Sequence, residues 1–473
     1  MITGNRYLDC LKTTILFCFI ALQSGQPLHA QDSGWQDVFG GTNGLNDGVY
    51  ALAAGETGDI YAGGYFTEAG GQPANYVARW TGTGWEALGE GVNYMVYALA
   101  MIGDDVYVGG AFTEAGGQEA RYVSRWTGTN WEPLANTLSG WVYALAVSDA
   151  GDLYAGGAFT FTNASGEFVN HVARWTGTDW EPVGSSVDPT PNIDVYAMAF
   201  GLAGDLYVGG EIPSPFKASG TGEIKYLAHW TGSAWEALGS GVNGSVDALA
   251  VSETGEVYAG GGFLEAGGQP VNYVARWTGT EWGPLGGGVN SPVASISLSE
   301  SGVFVGGTHT EAGGQPANRI ARWTGTAWEA LGSGVAPHDV VSLLLVGDDL
   351  YVGGDFAEAG GRPAGNLAIW TVSTPSAIDD PFPATPSKLV ISSVFPNPLR
   401  DQATISFGLP AAGNVQIDVY DVLGRRVAQL LNEARPAGRQ EVAWHAGNLP
   451  RGTYFIRLRV GSSAYTRAAM LVR

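Results

Sequence analysis

Five glutamates recur in one setting in this 473-residue sequence: Glu68, Glu114, Glu265, Glu311 and Glu358 each precede Ala-Gly-Gly. Carboxylates on glycine turns could gather cations weakly, or stand as solvated turns. No D-x-D-x-D-G calcium loop accompanies them. The histidines (His29, His171, His229, His309, His338 and His445) lie far apart, without the spacing of a metal site. The only cysteines, Cys10 and Cys18, fall in the first thirty residues. No G-x-S-x-G elbow occurs, and the Gly-Gly pairs lack the strand–glycine–helix setting of a phosphate loop. These residues point to no catalytic group, no metal and no cofactor.

The elements that must position any site are repeats. One tryptophan series sits at Trp80, Trp126, Trp175, Trp230, Trp277, Trp323 and Trp370, with steps of 46, 49, 55, 47, 46 and 47. A second series is Trp35, Trp85, Trp131, Trp180, Trp235, Trp282 and Trp328, leaving only Trp141 and Trp444 outside both. Each unit holds four strand-like runs, as in VYALAA, DIYAGGYF, NYVARW and GWEALG between residues 49 and 89. Runs of five to eight residues with period-two alternation and glycine turns exclude helical repeats. Four strands in 40–50 residues make a β-propeller blade.

Counting strands by kind predicts seven blades closed by the N-terminal strand. The chain opens with a fourth-type strand, GWQDVFGG at 34–41, and its last unit ends on a third-type strand. Closure would remove an exposed edge. A hairpin across TGTG pairs Trp80 with Trp85 and Arg79 with Glu86; it likewise pairs Arg125 with Glu132, Arg174 with Glu181, His229 with Glu236 and Arg322 with Glu329. Ile369 would face Gln36. Inter-blade packing of tryptophans, roughly 150–250 Å² each, is the expected source of cohesion, with a sugar-stacking surface as the alternative.

Departures from the repeat mark candidate binding loops. The inserted segments are FTNASGEFVN (161–170), DPTPNID (188–194) and IPSPFKASGTGEIK (212–225). All should emerge on one face of two adjacent blades, and binding residues concentrate on such loops. Phe161, Phe168, Asp188, Phe216 and Lys217 are the candidate ligand-facing group.

The first thirty residues read as a secretion signal: Arg6 and Lys12 precede the apolar run TTILFCFIAL, and PLHA ends the segment. Charge divides the rest. Residues 31–387 carry 10 basic and 39 acidic side chains, whereas 388–473 carry 11 and 5. The large acidic part should repel nucleic acid. Expected domains are thus 1–30 signal, 31–373 propeller, 374–391 a Pro/Ser/Thr-rich linker, and 392–473 a small Ig-like β-sandwich.

That tail resembles the type A C-terminal sorting domain of the type IX secretion system of Bacteroidetes and relatives. The matching residues are Pro396, Asn397 and Pro398; VYDVLGRRV at 419–427, with Gly424 and Arg425; PAGRQEVAW at 436–444; and NLPRGTYFIRL at 448–458, with Gly452 and Tyr454. The resemblance implies export through the periplasm and the outer membrane, with the secretion machinery as partner, and then surface attachment or release. The repeat region is similar to Kelch-type and galactose-oxidase-like propellers, but the copper site of the latter needs a cysteine that the mature chain lacks. The expected product is a monomeric secreted or surface protein that binds glycan or protein without catalysis. A polysaccharide-active enzyme and a structural surface-layer component stay open as alternatives.

Overall fold

The structure is a computed structural model that describes residues 34–36, 44–134, 138–184, 194–202, 204–212, 216–217, 223–224, 226–372, 389–395, 402–421, 424–447, 449–461 and 463–471. The segment read as a signal, most of the linker and Pro396–Pro398 lie outside these residues. The described chain is all β, a propeller followed by a smaller β unit.

Seven four-stranded antiparallel sheets make up the large part. Their inner strands are Val49–Ala54, Val96–Ile102, Val142–Val147, Asp194–Phe200, Val246–Val251, Val293–Ser299 and Val340–Val346. Each inner strand packs beside the next, and the last packs beside the first. In the seventh sheet the outer position is taken by Trp35–Gln36, which pairs antiparallel with Leu367–Thr371: Trp35 faces Trp370 and Gln36 faces Ile369. Elsewhere the outer hairpins have the register read from the sequence, Trp80 opposite Trp85 and Arg79 opposite Glu86, with Arg125–Glu132 at 2.6 Å and Arg174–Glu181 at 2.9 Å. His229 does lie opposite Glu236. Its ring, however, bonds Asp205 at 2.6 Å and stacks on Tyr207.

Tryptophan joins sheet to sheet. The indole of Trp131 donates to the Leu88 carbonyl at 2.7 Å, Trp235 to Val183 at 3.0 Å and Trp282 to Leu238 at 2.8 Å, each in the preceding sheet. Trp35 does the same to Leu331 of the sixth sheet at 3.0 Å. Each outer tryptophan also leans on its hairpin partner, with centroids 5.2–5.6 Å apart from Trp80–Trp85 to Trp323–Trp328.

The Gly-Gly pair in each second strand is required twice over. A side chain on the first glycine would strike the first valine of the next sheet's inner strand: Gly63 meets Val96, Gly156 meets Val195, and Gly353 of the last sheet meets Val49 of the first. One on the second glycine would strike the carbonyl at the start of its own sheet's inner strand, as Gly64 against Gly48 and Gly210 against Asp194. Gly353→Ala places its Cβ 2.8 Å from Val49 Cγ1 and should cost about 1–3 kcal/mol, read as a lower urea midpoint at unchanged slope.

The tail folds as a three-stranded and a four-stranded antiparallel sheet around a core containing Ile405, Phe407, Ile417, Trp444 and Ile456. Gly424, at φ 74°, turns the chain while Asp421 accepts from the backbone and Nε of Arg425 at 2.9 and 2.7 Å. Tyr454 donates to the Pro450 carbonyl at 2.6 Å and sits edge-on to Trp444. Gly424, Arg425 and Tyr454 therefore build turns and core in this unit.

Candidate functional site: an aromatic mouth

Close approach at the glycine pairs has a second effect. In all seven sheets the inner strand carries a β-bulge near its start, one residue in (two in the fourth sheet), because two residues there oppose one step of the glycine strand. A bulge re-aims the extra side chain. The bulged residues are Tyr50, Tyr97, Tyr143, Tyr196, Asp247, Ala294 and Val341 in sheet order. Their tyrosine rings touch across successive sheets, with centroids at 6.3 Å (Tyr50–Tyr97), 5.3 Å (Tyr97–Tyr143) and 5.3 Å (Tyr143–Tyr196). The four tyrosine rings thus form an arc across the first four sheets, and all seven bulged residues are half-buried. Trp141, outside both tryptophan series, extends the arc, 6.5 Å from Tyr97 and 6.2 Å from Tyr143.

Carboxylates flank the arc. At one end stand Asp194, Glu211 and Asp247; Asp194 accepts from the Tyr196 hydroxyl at 3.3 Å. Burial, reinforced by the Glu211 charge, pushes the Asp247 carboxyl up to about 7 against the bond from Ser245. Asp194 is raised by burial and by Glu211. At the other end Asp339 and Asp355 are raised by burial, with His338 opposing. Burial also raises the Tyr50, Tyr97 and Tyr196 phenols, that of Tyr97 to about 12, so these hydroxyls stay protonated. The arc offers apolar ring faces, hydroxyl donors and carboxyl acceptors at one mouth. Among the described residues no group of three His, Cys, Asp or Glu is arranged to hold a metal.

Of the loops singled out in the sequence, parts of two lie within the described residues. Residues Leu153–Thr162 and Phe168–Trp175 form a long hairpin in the third sheet. Phe168 stands 46% exposed. Phe161 packs half-buried against that sheet's core, 6.4 Å from Phe159. Phe216–Lys217 pair with Glu223–Ile224 in a short ladder, and Asp188 lies outside the described residues. The Ala-Gly-Gly loops are held rigid by asparagine: Asn46 Oδ1 accepts from Thr67 N at 2.9 Å and Glu68 N at 3.0 Å, and Asn93, Asn243 and Asn290 repeat the cap. Their glutamate side chains point to solvent.

A family model described as "Secretion system C-terminal sorting domain" matches residues 393–472. Another, "Domain of unknown function (DUF5122) beta-propeller", matches residues 57–83. The tail is thus a type IX sorting domain, which implies export to the surface or the medium and contact with that machinery, and the repeats form a β-propeller. No curated protein matches the chain in sequence. Among solved structures it is similar to PorZ, a surface component of the type IX secretion system of Porphyromonas gingivalis (16% identity, TM-score 0.40, 91% of this chain and 60% of that one). It is also similar to a copper-bound fungal alcohol oxidase of the AA5 family (12%, TM-score 0.41, 93% and 100%). A Bacteroides thetaiotaomicron protein of unknown function follows (15%, TM-score 0.33, 58% and 69%). The chain spans about 60% of the length of PorZ.

Proposed function

We propose that this chain is an exported, seven-bladed propeller, closed by its N-terminal strand and carried out by an Ig-like sorting tail, that binds glycan or protein outside the cell without catalysis. The signal at 1–30 and a monomeric mature protein belong to the same reading. The observation that carries it is the asymmetry of the bulge ring: four tyrosines in succession, then Asp247, then the small apolar Ala294 and Val341. A purely architectural ring has no need of such a gradient, whereas a ligand lying to one side of the mouth does. Phe168, Phe216 and Lys217, with Asp188, stay in this reading as loop residues that would contact the ligand, whereas Phe161 packs on its own sheet's core.

Tyr97→Ala with Tyr143→Ala should abolish retention on an array of saccharides and extracellular proteins that retains the parent chain. Undiminished retention by a folded double variant would remove the mouth from the reading. Phe168→Ala should weaken binding while leaving Tm nearly unchanged, because so exposed a ring contributes little to the core.

One observation favours a second, enzymatic reading. A carboxyl that titrates near 7 beside other carboxylates is suited to general acid catalysis. Release of reducing ends from polysaccharide by the parent chain, lost in Asp247→Asn, would establish it.

A further inference from the structure

Outside the mouth, three tyrosines meet where the first and second sheets adjoin. Tyr65 follows the first sheet's Gly-Gly pair, Tyr76 precedes its third strand, and Tyr94 lies on the loop entering the second sheet. Their ring centroids form a triangle of 6.0, 6.1 and 6.3 Å, with interplanar angles of 46°, 83° and 50°. Tyr65 is 38% and Tyr94 40% exposed, among the few large apolar side chains so open. The equivalents of Tyr65 in the other sheets are Ala111, Ala158, Glu211, Gly262, Thr308 and Asp355. Only at this junction does the position after the glycine pair carry an aromatic ring, so the repeat does not dictate the cluster.

We propose that Tyr65, Tyr76 and Tyr94 form a saccharide subsite that continues the mouth and takes an uncharged pyranose ring. Tyrosine gives a rigid apolar face to the C–H side of a sugar and a hydroxyl to its edge, at little cost in conformational freedom. Tyr65 N donates to the Gly48 carbonyl at 2.9 Å, two residues before Tyr50, so the cluster adjoins the arc. The surroundings select on charge. Asp47 and Asp355 lie beside Tyr50, and residues 31–387 carry 39 acidic against 10 basic side chains. A uronic, sialic or sulfated sugar is repelled there; a neutral hexose or pentose chain is not.

This inference rests on the binding reading but fails separately from it. The full chain would be titrated with neutral oligosaccharides (xylo-, manno- and cello-hexaose) and with oligogalacturonate, for the parent, for Tyr65→Ala with Tyr94→Ala, and for Tyr97→Ala with Tyr143→Ala. We expect at least one neutral hexasaccharide to bind and oligogalacturonate not to. The Tyr65/Tyr94 double variant should weaken binding about tenfold or more, and Tyr65→Phe with Tyr94→Phe should recover most of it. If the Tyr97/Tyr143 variant loses binding while the Tyr65/Tyr94 variant keeps it, the subsite is wrong and the mouth stands. If only the Tyr65/Tyr94 variant loses it, the subsite stands and the mouth falls. Preference for oligogalacturonate, or binding of no neutral hexasaccharide, overturns the inference.

Discussion

Trp35→Ala should destabilise the propeller by about 3–5 kcal/mol, the largest loss expected from any single truncation near the chain's start. Trp35 is 3% exposed. Its ring stands edge-on to Trp370 at 5.3 Å, and its indole bonds the Leu331 carbonyl. It packs in a cluster with Phe304, Leu331, Leu350 and Phe356 that belongs to the sixth and seventh sheets. Truncation leaves a cavity and removes a bond to the Leu331 carbonyl, which keeps that of the Gly334 N–H at 3.0 Å. It also loosens the strand that, among the described residues, covers the outer edge of Leu367–Thr371, so the variant should aggregate on warming as unpaired edges do. Trp35→Phe keeps much of the apolar contact and loses the bond; it should cost about 1–2 kcal/mol. Guanidinium midpoints and light scattering on heating measure both. Equal stability of Trp35→Ala and the parent would mean that the strand contributes nothing.

His309→Phe should act in the opposite direction. The residue two past the Gly-Gly pair is Phe66, Phe112, Phe159, Phe263 or Phe356 in five sheets and Ile212 in the fourth; in the sixth it is His309, fully buried. Neither ring nitrogen has a hydrogen-bond partner among the described residues. An unpaired buried polar group costs about 1–3 kcal/mol, so phenylalanine, which the fold accommodates at this position elsewhere, should stabilise by a similar amount. A pH signature separates this from general core improvement. Burial, with the Arg319 charge second, lowers the His309 pKa to about 4 from an ordinary 6.5. Between those values the unfolded chain takes up a proton that the folded chain refuses. Stability is therefore fully present above 6.5 and declines as pH falls toward 4, by at most about 3 kcal/mol. In His309→Phe that portion of the slope should vanish. A variant less stable at pH 7, or one with the parent's slope, contradicts the assignment.

Much of the fold is legible in the residues because the sequence states it several times. Tryptophans five apart fix the outer hairpin register, which is why Trp80 opposite Trp85 could be read without coordinates. The Gly-Gly pairs announce close approach, though not which atoms approach. The mouth was harder to see. VYALA reads as ordinary alternation, and nothing local in it reveals that the second residue is bulged inward; the bulge follows from the partner strand's glycines. The usable signal was the series Tyr, Tyr, Tyr, Tyr, Asp, Ala, Val at one position of the inner strand, a departure inside a strand rather than in a loop. Trp141 was the other clue, a tryptophan without a repeat partner. Of the two phenylalanines in the third sheet's irregular loop, Phe168 is exposed, whereas Phe161 packs on its own sheet's core because alternation in the long hairpin turns it that way.

The account rests on the last sheet being completed by the first strand, since only a closed circle gathers the seven bulged residues at one mouth. Side chains of Gln36 and Thr371 meet across that junction. A chain carrying Gln36→Cys and Thr371→Cys, with Cys10 and Cys18 replaced by serine, should be joined internally and in high yield by a short bis-maleimide, which adds one thiol at each end. The joined peptides would be identified by mass spectrometry, and the cross-linked form should melt higher than the open one. Absence of that cross-link in a folded chain, or cross-linking only between molecules, would contradict the closed ring and the mouth it creates.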